Sequence, residues 1–186
     1  HPIVLVHGVR LHAHVWNHFS RRYRDRFHIM ALDQRGHGDS GWGHHDHYHP
    51  EEYYHDLVHM VKGRGLKRFT LIGHSLGGHN TMFTAAFEPR IKALVSNCGF
   101  TRFHKYYGGK LAGWTSNRYM PRIAQVHGNN PDQVPFDFPE IVASFAPRPF
   151  LASSPVGDSN FEVSGVRDTI AAARPIYSLY GKPDNL

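Results

Sequence analysis

Cysteine is nearly missing: Cys98 stands alone in 186 residues, so no internal disulfide can staple the chain, and a small secreted disulfide scaffold is excluded. Long apolar runs are missing as well. No stretch approaches the roughly 18 apolar residues of a membrane-spanning helix. His1-Pro2 followed by Ile3-Val4-Leu5-Val6 is too short and wrongly flanked for a signal peptide. The compartment stays open on these grounds, with the cytoplasm favoured. Acidic residues are in the minority, 15 against 21 Lys and Arg, for a net charge of +6 with histidine neutral. The basic residues are dispersed. The one dense run, Arg21-Arg22-Tyr23-Arg24-Asp25-Arg26, has no binding motif beside it and reads as a solvated helix face, so no nucleic-acid or membrane partner is expected. Repeats are absent too, and the length suits a single domain, 1–186.

Histidine, by contrast, is abundant, with 17 in the chain. Apolar, β-branched runs recur at Ile3–Val6, His28–Leu32, Phe69–Ile72, Lys92–Ser96 and Pro149–Ser153, each of a kind that suits a strand buried on both faces of a parallel sheet. Helical patterns lie between them. Residues 12–24 place Val15, Trp16 and Phe19 at helical spacing; 50–62 opens on Pro50-Glu51-Glu52 and aligns Tyr54, Leu57, Val58 and Val61; 76–87 follows a glycine-rich turn; 163–180 carries Val166, Ile170, Ala173 and Tyr177, with Pro175 as an expected kink. The alternation predicts an α/β fold, a mostly parallel sheet of about five strands flanked by helices. Residues 100–147 break the rhythm and read as a lid-like excursion over the carboxyl ends of the strands, where ligands of such sheets bind.

The turn at Gly73-His74-Ser75-Leu76-Gly77 fits G-x-S-x-G, a sharp strand-to-helix corner that exposes a nucleophilic serine. A serine hydroxyl needs a base to take its proton and donors aimed at the oxyanion it creates. Ser75 is the candidate nucleophile, and the Leu76 N–H at the start of the next helix is one candidate oxyanion donor. The second is the N–H of Val9, in the His7-Gly8-Val9 turn after the first strand.

Together VLVHG at 4–8, DQRGHGDS at 33–40 and GHSLGG at 73–78 resemble the α/β-hydrolase superfamily. The first part, to residue 75, resembles its esterase and epoxide-hydrolase-like branch, although Ser in place of an Asp nucleophile argues against epoxide chemistry. The rest, with GWTSNRYMPRIA, PFDFPEIVASFAPRPFL and NFEVSGV, resembles the dienelactone-hydrolase and acetyl-xylan-esterase-like branch. The resemblance implies a serine esterase without a cofactor, a small-molecule ester as its substrate, and a triad in the chain order Ser, acid, His. Asp158, on the loop after the Pro149–Ser153 run, is the implied acid, with Glu162 as runner-up.

The implied histidine is not found. The last in the chain is His127, before Asp158, and the sequence stops near where the next strand of the family would begin. The chain therefore reads as a hydrolase core trimmed at both ends, with low activity expected and with sheet edges left open to self-association. Among substitutes, His74 diverges from Ser75 on a sharp turn, and His7 and His37 belong to structural loops. His79, His104 and His127 approach the predicted pocket region, and His104 is the least unlikely base. The cluster His44-His45-Asp46-His47-Tyr48-His49 lacks a ligand framework, so no metal site is assigned. The alternative reading is a catalytically silent fold fragment, or an engineered or recombined chain, that binds a ligand or partner.

Overall fold

The computed structural model describes residues 1–186 except His45, Asp46, Arg118 and the side chain of Pro50. Five strands, β1 (Pro2–Val6), β2 (His28–Leu32), β3 (Phe69–His74), β4 (Ile91–Asn97) and β5 (Phe150–Ser153), form one all-parallel sheet in the order β2-β1-β3-β4-β5. The helices are α1 (Asn17–Tyr23), α2 (Pro50–Gly63), α3 (Leu76–Phe87), α4 (Pro121–Gln125), α5 (Phe138–Ala143) and α6 (Val163–Leu179).

Only the central strands have the double burial that their apolar runs suggest. Val4, Leu5 and Val6 of β1 are sealed, whereas β2 exposes His28 and Ala31 and β5 exposes Leu151 and Ser153. β2 and β5 are edge strands, each with a neighbour on one side only, so the expectation of burial on both faces is corrected for these two. The helix expected over 12–24 is divided into a 3-10 turn, Ala13–Trp16, and α1, neither of which contains a fully buried residue. Helix α6 continues through Pro175 rather than ending there.

Helix α3 shows how tightly helix and sheet are joined. A Cβ added to Gly77 would stand 2.3 Å from the carbonyl oxygen of Val6 and 2.5 Å from that of His7, so only glycine lets the helix start lie on the end of β1. The excursion at 100–147 sends most of its aromatic side chains inward: Phe103, Tyr106, Trp114, Phe138 and Phe145 belong to the same buried cluster as Leu71 of β3 and Leu94 of β4, while Tyr107 stays exposed. Among the described residues no helix is long and apolar enough to cross a membrane.

Candidate active site

The strand order reverses at β1. The chain steps from β1 outward to β2, then crosses back to β3 on the other side, with Val6 opposite Gly73. Ligands of open parallel sheets sit at such a switch point, beyond the carboxyl ends of the strands. Here the loops after β1 and β3 must lie side by side, and these loops hold His7-Gly8-Val9 and Ser75-Leu76.

Ser75 has φ 52° and ψ −118°, a backbone region that non-glycine residues rarely occupy. Its N–H donates to the Asn97 carbonyl of β4 at 2.8 Å, and its own carbonyl accepts from His79 N–H at 3.0 Å. The corner is thus held to the sheet before it and to the helix after it. A Cβ on Gly8 would meet the Ser75 Cβ at 3.0 Å, which measures how closely the β1 loop passes the serine. Leu76 is the first residue of α3, so its N–H is among the helix-start donors with no intrahelical acceptor. Val9 is exposed, and no backbone acceptor takes its N–H among the described residues.

His7 is wholly buried between these parts. Its Nδ1–H donates to the Gly8 carbonyl at 2.7 Å, and its Nε2 accepts the Gln34 N–H at 3.1 Å. Burial pushes its pKa down, with the nearby His37 acting in the same direction. The ring is therefore a neutral brace with both nitrogens used, not a free base. His37 packs 5.1 Å from it and bonds to the Arg35 carbonyl, and Arg35 grips Asp56 of α2 through two hydrogen bonds of 2.6 and 2.8 Å. The DQRGHGDS segment is in this way tied to both the β1 loop and α2.

Asp158 lies on the loop after β5. One carboxylate oxygen accepts the N–H groups of Asn160 and Phe161 at 2.8 and 3.1 Å; burial, and after it this charge, raises the pKa of the Cys98 thiol just past the end of β4. Ser75 and Asp158 thus flank the same strand end, one through Asn97 and the other beside Cys98. Glu162 is at the N-terminus of α6, where its carboxylate accepts from Ser164 and its carbonyl from Thr101.

No histidine among the described residues hydrogen-bonds to Ser75 Oγ. His74 accepts from the Asn97 amide at 3.1 Å. His104 is exposed and paired with Asp132 at 2.8 Å, so the substitute base suggested by the sequence is engaged at the surface of the excursion. His127 lines a separate open groove beside α4. The 44–49 cluster includes His45 and Asp46, which lie outside the described residues; among the described residues no group of three or more His, Cys, Asp or Glu is placed to hold a metal ion.

Asn97, Gln34 and the outer face of α3 were not singled out in the sequence. A signal for the last existed. Leu76, His79, Asn80, Phe83, Thr84 and Phe87 recur at helical spacing, and this stripe walls an apolar cavity of about 360 Å³.

A parallel sheet with a strained serine at its switch point, braced by the His7-Gly8 turn of the neighbouring strand, defines a hydrolase-type α/β domain. The chain belongs to the alpha/beta hydrolase family, whose model matches residues 3–184. It is 32% identical over 108 residues to 2-(acetamidomethylene)succinate hydrolase of Mesorhizobium japonicum, a match that covers 55% of this chain and 37% of that protein. The chain spans about a third of the length of the curated relatives it matches. Among solved structures, an esterase from a marine microorganism is 30% identical with a TM-score of 0.50, over 52% of this chain and 36% of that one. A hydrolase from Pseudomonas aeruginosa is similar in fold over 92% of this chain and 77% of its own, with a TM-score of 0.67 at 19% identity.

Proposed function

We propose that the chain is a serine hydrolase of carboxylic esters that works through an acyl-Ser75 intermediate. The observation that carries this reading is the Ser75 backbone, held at φ 52° between β3 and α3 with Gly8 packed against its Cβ. Strain of this kind costs about 1–3 kcal/mol and persists where the surroundings enforce it, most often at functional sites. In the proposed reaction Ser75 Oγ bonds to the ester carbonyl carbon and its proton passes to a base. The Val9 and Leu76 N–H groups receive the oxyanion, the alcohol leaves with a proton, and water then releases the acid. Asp158 is the acid that would orient and stabilise a cationic imidazole.

No imidazole among the described residues is hydrogen-bonded to Ser75, so these 186 residues by themselves are proposed to turn over slowly. The oxyanion donors retain a small fraction of catalysis without the base. The same observation favours the second reading, a silent fold that binds a ligand or partner. The open edges at β2 and β5 are proposed as its route to self-association.

Hydrolysis of p-nitrophenyl acetate by the native chain and by Ser75→Ala separates the two readings. A rate lost in the variant supports acyl-serine catalysis; equal rates eliminate it.

A further inference from the structure

Helix α3 packs on two faces. One, with Gly77, Gly78, Met82 and Ala85, is buried against the sheet. The other forms a wall of the 360 Å³ cavity, lined on its other sides by Glu51, Tyr53, Tyr54 and His55 of α2, by Gln34, and by Tyr119 and Met120 of the excursion. The cavity adjoins the elbow, because Leu76, the residue after Ser75, lines it. Its size is well above the roughly 150 Å³ in which an apolar protein cavity holds a benzene ring.

Among the polar side chains of this wall, His79 is the buried ring. His79 is 4% exposed, stacked on Phe83 at 4.8 Å and met edge-on by Trp114 and Tyr119 at 5.4 Å. Nε2 has no hydrogen-bond partner among the described residues and is sealed from solvent, which leaves Nδ1, also without a hydrogen bond there, as the nitrogen for a ligand in the cavity. Burial holds its pKa down at about 3, so the ring is neutral and offers one N–H donor and one acceptor. Buried polar groups nearly always find partners, and an unpaired one calls for an explanation. A leucine or phenylalanine in its place would pack with the same aromatic neighbours at no such cost. Among the described residues no hydrogen bond uses the imidazole.

We propose that this cavity binds a planar aromatic group carrying one neutral hydroxyl or carbonyl, which pairs with the His79 ring. The aromatic walls select a flat π-surface. An anionic ligand is disfavoured, because the neutral His79 ring offers it no counter-charge and Glu51 also lines the cavity. That this group is the acyl or alcohol part of an ester presented to Ser75 rests on the proposed esterase reading; the binding itself does not.

The test uses Ser75→Ala, which cannot form an acyl-serine, with 2-naphthol and naphthalene as probes in titration calorimetry. Naphthol is expected to bind about tenfold more tightly than naphthalene, as befits one hydrogen bond gained by a buried group. His79→Phe should bring the ratio close to one while naphthalene still binds. Should that variant not fold, ¹⁵N spectra of the native chain decide: the His79 ring nitrogens shift with naphthol and not with naphthalene. Equal affinities in the native chain, an undiminished preference in His79→Phe, or no saturable binding of either probe overturns the proposal. Naphthol binding with no Ser75-dependent hydrolysis of 2-naphthyl acetate by the native chain overturns the esterase reading and leaves the site standing.

Discussion

Gln34 and His7 hold each other twice: the Gln34 backbone N–H donates to His7 Nε2 at 3.1 Å, and its side-chain amide donates to the His7 carbonyl at 2.8 Å. The first bond selects the His7 tautomer whose Nδ1–H braces the Gly8 carbonyl. The second ties the β1 loop to the segment after β2. Gln34→Leu removes the second and leaves a buried carbonyl unpaired, for an expected loss of about 1–3 kcal/mol in stability. The loop that carries Val9 loosens with it. Any Ser75-dependent turnover should therefore fall in kcat more than it rises in KM; an unchanged kcat in a folded variant would contradict the brace.

Ser75 pays for its position in backbone strain, with φ 52° and ψ −118°. Glycine adopts such a conformation without the Cβ penalty. Ser75→Gly should raise stability by about 1 kcal/mol while abolishing any acyl transfer, and Ser75→Ala, which keeps the Cβ, should leave stability within about 0.5 kcal/mol of native. Urea unfolding of the two variants checks this. Equal stabilities would mean that the corner is relaxed.

Two glycines in helices should respond in opposite ways to alanine. At Gly77 the new Cβ meets the Val6 carbonyl at 2.3 Å, and backbone has to move, at an expected cost of about 3 kcal/mol. At Gly63, the last residue of α2, nothing lies within 4 Å, and Gly63→Ala should be neutral or stabilising by up to about 1 kcal/mol. Thermal melts of both variants test the pair together.

Stability should fall on mild acidification. His79 and His7 are both held neutral by burial, His79 down to about 3. A histidine whose folded pKa is depressed binds more protons when unfolded, so its contribution is complete above about pH 6.5 and is lost as pH falls towards its folded value. His79 alone should remove about 1.4 kcal/mol per pH unit across that window. Glu88, held below the usual carboxylate range by Arg90, adds its own loss only under more acid conditions. Urea midpoints at pH 7 and pH 5 isolate the histidines, and the difference should shrink in His79→Phe. Equal midpoints in the native chain would refute the assignment.

The strand–helix alternation was legible because burial in a parallel sheet leaves continuous apolar runs, and all five proved to be strands. Which of them were edges was not legible. The runs of β2 and β5 look like those of β1 and β3, and only the order of assembly leaves Ala31 and Leu151 uncovered. The family was legible from three short motifs, since each is a local turn whose chemistry is complete within a few residues.

The cavity was not. Its stripe on α3 is visible in the sequence, but the opposite walls come from α2 and from Tyr119 and Met120, which only long-range packing brings to it. In the same way Gln34 and Asn97 are unremarkable as letters, and His79 was read only as a histidine near the pocket. The sequence by itself determined the sheet class, the serine corner and the family, because these rest on local periodicity and local turns. The tertiary structure alone decided which polar groups meet, that His104 turns to Asp132 at the surface, and that His79 Nε2 lies among aromatic rings with no hydrogen bond among the described residues. Hydrogen bonds and burial depend on neighbours tens of residues away, and local sequence carries no record of them.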